Sequence, residues 1–149
     1  MTTLKRTTSD DPNFQALVTL LDQDLAIRDG SEHAFYAQFN KLNNIKNALV
    51  SYLDNKPVGC GAFKEYDDQT VEIKRMFVLP DYRGQRIAVD ILQELEQWAA
   101  ELNYTTCVLE TGKKQPEAIR LYQRSGYILI PNYGQYEGIE NSVCMRKLL

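Results

Sequence analysis

The residues best placed by type and spacing to do chemistry lie in one stretch, Glu72 to Leu102, EIKRMFVLPDYRGQRIAVDILQELEQWAAEL. Its order reads as a strand from Glu72 to Val78, a Pro80-Asp81 turn, a loop of Arg83, Gly84, Gln85 and Arg86, and a long amphipathic helix from about Ile87. The first turn of a helix carries N–H groups with no intrahelical acceptor and the positive end of the dipole, so a loop delivering two arginines there suits a phosphate. The guanidinium groups add charge-assisted donors. Other chemistries fit less well. Thr111 to Lys114, TGKK, lacks both the hydroxyl and the preceding glycine of a nucleotide phosphate loop. Cys144 has no base signature beside it and reads as a strand thiol. His33, the only histidine, sits at a polar helix start and reads as a surface residue.

Positioning those residues requires a sheet with helices on its faces. Thr2 to Thr7 reads as an edge strand, and Asp11-Pro12 opens a helix with Phe14, Leu17, Leu20, Leu21 and Leu25 on one face until Asp29-Gly30. Ser31 caps a second short helix with Phe35 and Phe39 four apart, ending near Asn43-Asn44. Ala48 to Leu53, Val58 to Glu65 and Thr70 to Val78 form an antiparallel meander with turns at Asp54 to Pro57 and Tyr66 to Gln69. In the last of these strands Lys74, Met76 and Val78 form one alternating set. The following helix carries Ala88, Ile91, Leu92, Leu95, Ala99 and Leu102 on its apolar stripe. Thr105 to Glu110 is then a parallel strand reached by a right-handed crossover. Pro116 opens a further helix, stopped at Ser125-Gly126, and Tyr127 to Ile130 and Ser142 to Lys147 close the sheet around a loop from Pro131 to Asn141.

Length and charge narrow the class. At 149 residues and 44% hydrophobic content the chain, residues 1–149, is expected to be one domain, burying roughly 68–70% of its unfolded surface. A net charge of −3 and a pI near 5.2 disfavour a duplex nucleic-acid binder, so no nucleic-acid partner is expected. Cys60, Cys107 and Cys144 are odd in number and lie in apolar segments, which fits reduced thiols and gives no metal spacing. The start MTTLKRTTSDD has no apolar leader region, and no run approaches the ~18 residues that span a bilayer, so a cytoplasmic protein with no membrane partner is expected.

The segment RMFVLPDYRGQRIA resembles the acetyl-coenzyme A signature of the GNAT superfamily of N-acetyltransferases: Arg or Gln, any two residues, Gly, any one, then Gly or Ala. Here those positions are Arg83, Gly84, Gln85, Arg86, Ile87 and Ala88, with Arg86 where the family usually has Gly. LETGKKQPEAIRLYQRSGY, Leu109 to Tyr127, resembles the family's next strand, helix and aromatic-ended strand, in family order and spacing. The resemblance implies an α/β (α+β) fold: a mixed, mostly antiparallel seven-stranded sheet, split between its fourth and fifth strands and flanked by about four helices. It also implies acetyl-coenzyme A as cosubstrate and no metal. The pantetheine arm would pair with backbone groups of Met76, Phe77 and Val78, helped by Thr111, Gln115 and Ala118. Glu72 falls where many members carry a glutamate base, and Tyr122 where its hydroxyl protonates the departing thiolate; a phenol is closer in pKa to a thiol than a carboxylic acid is. Tyr36, Tyr133 and Tyr136 would wall the acceptor pocket.

The implied reaction is direct acetyl transfer to a primary amine of a small molecule or amino acid derivative. The alternatives are a protein or peptide acceptor and a non-catalytic coenzyme A sensor or interaction module, for which Arg86 is the support. The closing segment IPNYGQYEGIENSVCMRK resembles a subset of bacterial members. The acidic set Asp22, Asp24, Asp29 and Glu32 reads either as a solvated face or as an attractor for a cationic amine. Exposed edge strands leave room for a homodimer.

Overall fold

The computed structural model describes residues 1–32, 34, 36 and 45–149. Most of the expected second helix, with His33, Phe35, Phe39 and Asn43-Asn44, lies outside the described residues. In chain order the elements are β1 (Thr2–Thr7), α1 (Pro12–Asp29), β2 (Asn47–Leu53), β3 (Lys56–Asp67), β4 (Thr70–Val78) and α2 (Ile87–Glu101). They are followed by β5 (Thr106–Gly112), α3 (Pro116–Arg124), β6 (Ile128–Ile130) and β7 (Ser142–Leu148). Single 3-10 turns occur at Gly30–Glu32, Pro80–Tyr82 and Gly134–Tyr136.

Local chemistry explains most boundaries. The Asp11 side chain accepts from the Asn13 and Phe14 amides at 2.8 and 3.3 Å, and Pro12 occupies the first turn of α1. At the other end Gly30 takes φ 57° and stops the helix. The face α1 buries is Phe14, Leu17, Val18 and Leu21; Leu20, expected there, is exposed. The β2–β3 turn is tighter than the four residues expected, because Asp54 and Asn55 both take positive φ (49° and 68°) and a two-residue hairpin of that hand matches strand twist. Strand β3 therefore begins at Lys56.

The strands order as β1-β2-β3-β4-β5-β7-β6, and every neighbouring pair is antiparallel except β4–β5. That parallel pair is joined only over Thr70–Glu72 against Thr106–Val108, although the strands run on to Val78 and Gly112. Beyond Glu72 the two strands splay, which opens a cleft edged by backbone groups that no strand pairs.

Each face of the sheet has its own core. Ile87, Ile91, Leu92, Leu95 and Ala99 of α2 pack on Leu49, Val58, Phe63 and Val71. Leu102, expected on that stripe, lies past the helix end and is exposed. Gly61 of β3 lets α2 approach closely, since a Cβ there would stand 2.9 Å from Leu95 Cδ1 and 2.7 Å from Met76 Sδ. The opposite core joins Phe14, Leu17, Val18 and Leu21 to Ala48, Val50, Cys60, Ala62 and Phe77.

Strand β4 does not alternate as expected. Its register against β3 shifts between Cys60 and Ala62, and Arg75 takes φ 61°, the signature of a bulge. Lys74, opposite Ala62, is thereby on the α1 face, whereas Met76 and Val78 pack with the α2 core, so the three do not form one set. The three cysteines are buried free thiols, and burial pushes Cys144 up to about 11, which keeps it a thiol at neutral pH.

Candidate active site

One end of the splay is built by the loop after β4. The Tyr82 amide donates to Leu79 O at 2.9 Å and the Arg83 amide to Pro80 O at 3.3 Å, closing the Pro80–Tyr82 turn. Gly84 follows with φ 81°, and Arg86 caps α2 with φ 65° and no side-chain capping bond. The usual family glycine therefore corresponds to a left-handed position, which glycine takes without strain and arginine does not. The first turn of α2, whose amides have no intrahelical acceptor, lies in the wall of a cavity of about 450 Å3 that also includes Val78, Arg83, Gly84, Arg86 and Arg124. Arg83 is tied down: its Nε donates to Val78 O at 2.9 Å and its guanidinium lies 5.6 Å from the Phe77 ring centre. Four N–H donors of that guanidinium are not used in the bond to Val78.

The structure refines several expected contacts. Phe77 and Ile87 are buried in opposite cores, so only their backbones are available to a ligand. Gln85 lies exposed in the loop. Met76, Thr111, Gln115 and Ala118 line not the arginine cavity but a second, smaller one further down the splay. Arg124, unremarked in the sequence, joins Arg83 and Arg86 in that wall from the last turn of α3.

This second cavity, of about 110 Å3, has Glu72, Lys74, Arg75, Glu110, Tyr122 and Tyr136 in its wall. Glu72 is buried and accepts from the Tyr133 hydroxyl at 2.6 Å, with Lys74 Nζ at 3.6 Å and Lys64 Nζ at 3.8 Å. Tyr133 meets Tyr136 edge-on at 5.9 Å. The Tyr36 hydroxyl shares a hydrogen bond with Ser142 Oγ at 3.1 Å and accepts from Asn141 Nδ2 at 3.3 Å. The three tyrosines expected at the acceptor thus meet in one cluster with Cys144. Tyr122 is buried edge-on against Tyr127 at 5.8 Å, and burial together with the Glu110 charge pushes its phenol above the ordinary range.

Glu110 is the group that sequence reasoning missed. The parallel register sets Val108 beside Glu72, so Glu110, two residues on, falls on the same face of β5 and into the cavity wall. Burial lifts its carboxyl to about 7, against the opposing pull of a Ser142 hydrogen bond and the Lys74 charge. The available signal was a lone carboxylate in an otherwise apolar strand. Of the acidic set on α1 and after it, Asp22 pairs with Arg75, Asp24 with Arg28 at 3.3 Å and Glu32 with Lys114 at 3.5 Å. Asp29 alone of the four reaches the smaller cavity.

A sheet split at its one parallel pair, with a helix N-terminus and arginines at the mouth and carboxylates below, is the architecture of acyl-coenzyme A-dependent N-acetyltransferases. The profile of the acetyltransferase (GNAT) family matches residues 14–127, and the chain belongs to that family. An IAA acetyltransferase of Azospirillum brasilense is 34% identical over 102 residues, 68% of this chain and 67% of the relative. The matched stretch spans between 45% and 67% of the length of the first curated relatives. A solved structure from Klebsiella pneumoniae, assigned to the acyl-CoA N-acyltransferases, superposes with TM-score 0.84 at 30% identity, covering 100% of this chain and 98% of that one. A GNAT family acetyltransferase of Elizabethkingia anophelis with acetyl-CoA bound shares the fold, with TM-score 0.71 at 19% identity over 99% of this chain and 98% of that one. No helix among the described residues is long and apolar enough to cross a membrane.

Proposed function

We propose that this chain transfers the acetyl group of acetyl-coenzyme A directly to the primary amine of a small acceptor. The observation that carries the reading is the pair of cavities beside the split parallel strands, one walled by a helix start and arginines suited to a pyrophosphate, the other by carboxylates and a phenol. The residues fit the cosubstrate. The α2 amides, Arg83, Arg86 and Arg124 hold its phosphates, and the unpaired backbone from Met76 to Val78 reads its amides as an added strand would.

In the overall ledger an ammonium loses a proton, its nitrogen forms a C–N bond to the thioester carbonyl carbon as the C–S bond breaks, and the second nitrogen proton leaves. An unperturbed alkylamine is mostly protonated at neutral pH, so the first step needs a base. Glu110 suits it, because a carboxyl titrating at about 7 is matched to working pH. Glu72, whose Oε2 already accepts from Tyr133, fixes the tyrosine wall and supplies the negative charge that draws the ammonium in. Tyr122, kept protonated by burial, gives its proton to the thiolate.

The test is thiol release from acetyl-coenzyme A across amines, aminosugars, polyamines, amino acids and peptides, with Glu110→Gln, Glu72→Gln and Tyr122→Phe beside the native chain. Release with one acceptor class, lost in Tyr122→Phe, supports the reading and identifies the class. Tight cosubstrate binding with no release on any acceptor, and no change in Tyr122→Phe, would replace the enzyme with a coenzyme A sensor.

A further inference from the structure

Ser142 opens β7 directly after the loop from Pro131 to Asn141, and its main chain is fixed on both sides. Its amide donates to Ile139 O at 3.1 Å, its carbonyl accepts from Asn132 Nδ2 at 3.1 Å, and it stands opposite Gly112 in the β5–β7 ladder. In the same ladder Glu110 stands opposite Cys144, so Ser142, two residues before Cys144, shares a face with Glu110. The Ser142 side chain is buried, and its hydroxyl bonds both to the Glu110 carboxylate and to the Tyr36 hydroxyl, the latter at 3.1 Å. Tyr36 in turn accepts from Asn141 Nδ2 at 3.3 Å.

The chemistry of these groups sets the direction of the bonds. An amide NH2 only donates, an ionised carboxylate only accepts, and a hydroxyl has one proton to give. With Glu110 ionised, the Ser142 proton is committed to the carboxylate, so Ser142 Oγ accepts from Tyr36 and Tyr36 accepts from Asn141. All three bonds then run toward Glu110. Each donor in such a chain is polarised by the one behind it, and the bond that ends on the charge is charge-assisted. Bonds between side chains are the minority in proteins, and three in series that end on a buried carboxylate at a cavity wall mark a device for holding that carboxylate.

We propose that Ser142 is a positioning residue for acetyl transfer: as the last donor of a chain from Asn141 through Tyr36, it holds one oxygen of Glu110 and leaves the other to face the acceptor amine. This rests on the acetyl-transfer reading above and adds to it the group that aims and tunes the base. The ammonium proton passes to the free oxygen of Glu110, and no covalent bond of Ser142 is made or broken.

Other groups face Glu110 in the same cavity. Asp29 from the end of α1 and Glu72 from β4 raise its carboxyl, and Lys74 from β4 lowers it. Arg75 lies in the same wall, paired with Asp22. Burial raises the phenols of Tyr36, Tyr122 and Tyr136 and the Cys144 thiol, so these stay neutral near pH 7, and it pulls the Lys74 ammonium below its ordinary value. Replacing the Ser142 hydroxyl changes none of these charges, so a shift in Glu110 reports the lost hydrogen bond.

The experiment follows the Glu110 carboxyl carbon by NMR against pH in chain labelled with carboxyl-enriched glutamate, the signal being assigned by its absence in Glu110→Gln. The native chain is compared with Ser142→Ala, Ser142→Thr and Tyr36→Phe, and kcat/KM against pH is recorded for the amine that releases thiol. Losing a hydrogen bond to the ionised form should move the Glu110 titration in Ser142→Ala up from about 7 by roughly one to two pH units. The rising limb of kcat/KM should move with it, a loss of roughly 5- to 50-fold at pH 7 that is recovered toward the native value on the alkaline plateau. Ser142→Thr keeps the hydroxyl and should return the limb toward its native position. Tyr36→Phe removes the donor behind Ser142 and should give a smaller upward shift, about half a unit.

An unmoved Glu110 signal in Ser142→Ala overturns the proposal and leaves acetyl transfer standing, as does a kcat/KM that falls at every pH with its limb in place. A signal that moves while the limb does not keeps the hydrogen-bond chain but overturns Glu110 as the base. If no amine releases thiol, acetyl transfer fails and the carboxyl titration alone decides whether Ser142 holds Glu110. If Ser142→Ala does not fold, the Tyr36→Phe titration decides, and an unmoved signal there overturns the proposal.

Discussion

The two ends of the cleft are made in different ways. At the mouth a continuous run from Val78 to Ala88 supplies most of the wall, a loop and a helix terminus whose free amides lie beside arginines. At the floor the wall comes from α1, β4, β5, α3 and the loop before β7, and every group that matters is a side chain. A main-chain site tolerates sequence change so long as the turn is kept, whereas a side-chain site changes its ligand with single substitutions. The mouth is therefore the part expected to be shared with relatives, and the floor the part that sets what this chain acts on.

If that contrast holds, substitutions at the floor act on turnover and those at the mouth on cosubstrate KM. The largest effect is expected for Glu110→Gln: a loss of about 10² to 10⁴ in kcat/KM. In the native chain kcat/KM should rise with pH through about 7 and then level, and that limb should vanish in the variant. Stability should move the other way. The folded carboxyl titrates at about 7 against an ordinary 4.5, so it is protonated in the folded chain at pH values where the unfolded chain has ionised. Its favourable contribution is complete below about 4.5 and is lost as pH rises through 7. At pH 9 Glu110→Gln should be the more stable chain by about 3 kcal/mol, as measured by urea unfolding. An inactive variant of unchanged alkaline stability would show that burial at this site is weaker than the geometry implies.

Tyr122→Phe comes next, with about 10² lost in kcat and little change in either KM. Because Tyr122 packs edge-on against Tyr127 and the ring is retained, its melting temperature should stay within a degree or two of native. A fall in kcat with native melting separates proton donation from packing; equal turnover would return Tyr122 to the core.

The same contrast governs what was legible in the sequence. Hydrophobic period, the Asp11-Pro12 start and the Arg83 to Ala88 run are local signals, and they placed the seven strands and the loop before α2, whereas the split of the sheet was implied by the family resemblance. The floor needed long-range facts. That β7 inserts between β5 and β6 is what brings Ser142 to Tyr36 and Cys144 to Tyr136, and no local spacing encodes it. Likewise the bulge at Arg75 moves Lys74 to the face opposite Met76, so strict alternation misassigned the set. Glu110 was hidden because the burial that lifts its carboxyl comes from elements distant in sequence and not from its neighbours in the chain.

At the mouth, Arg83→Ala removes the guanidinium that stacks over Phe77 and holds Val78 O. A charge-assisted contact to phosphate is worth about 1.5–3 kcal/mol, so acetyl-coenzyme A KM should rise roughly 10-fold or more with kcat less affected. An equal fall in kcat with KM unchanged would break the division between the two ends.

The smallest and sharpest case is Arg86→Gly, which restores the residue usual in the family at this position. Arginine at φ 65° sits in a left-handed conformation that costs about 1–2 kcal/mol, and glycine removes that cost while adding about 0.4–1 kcal/mol of unfolded-chain freedom. The net gain is up to about 1.6 kcal/mol, a rise in melting temperature of up to about 6 °C for a domain of this size. Cosubstrate binding should respond to a different property of the same residue. Arg86 lines the arginine cavity, and losing an exposed charge there should raise acetyl-coenzyme A KM by about 2- to 5-fold. A higher melting temperature with a higher KM means that the chain keeps a strained backbone for the sake of a charge on the phosphates. A higher melting temperature with a lower KM means that close approach of the α2 amides matters more than the guanidinium, and the mouth is then a main-chain site throughout.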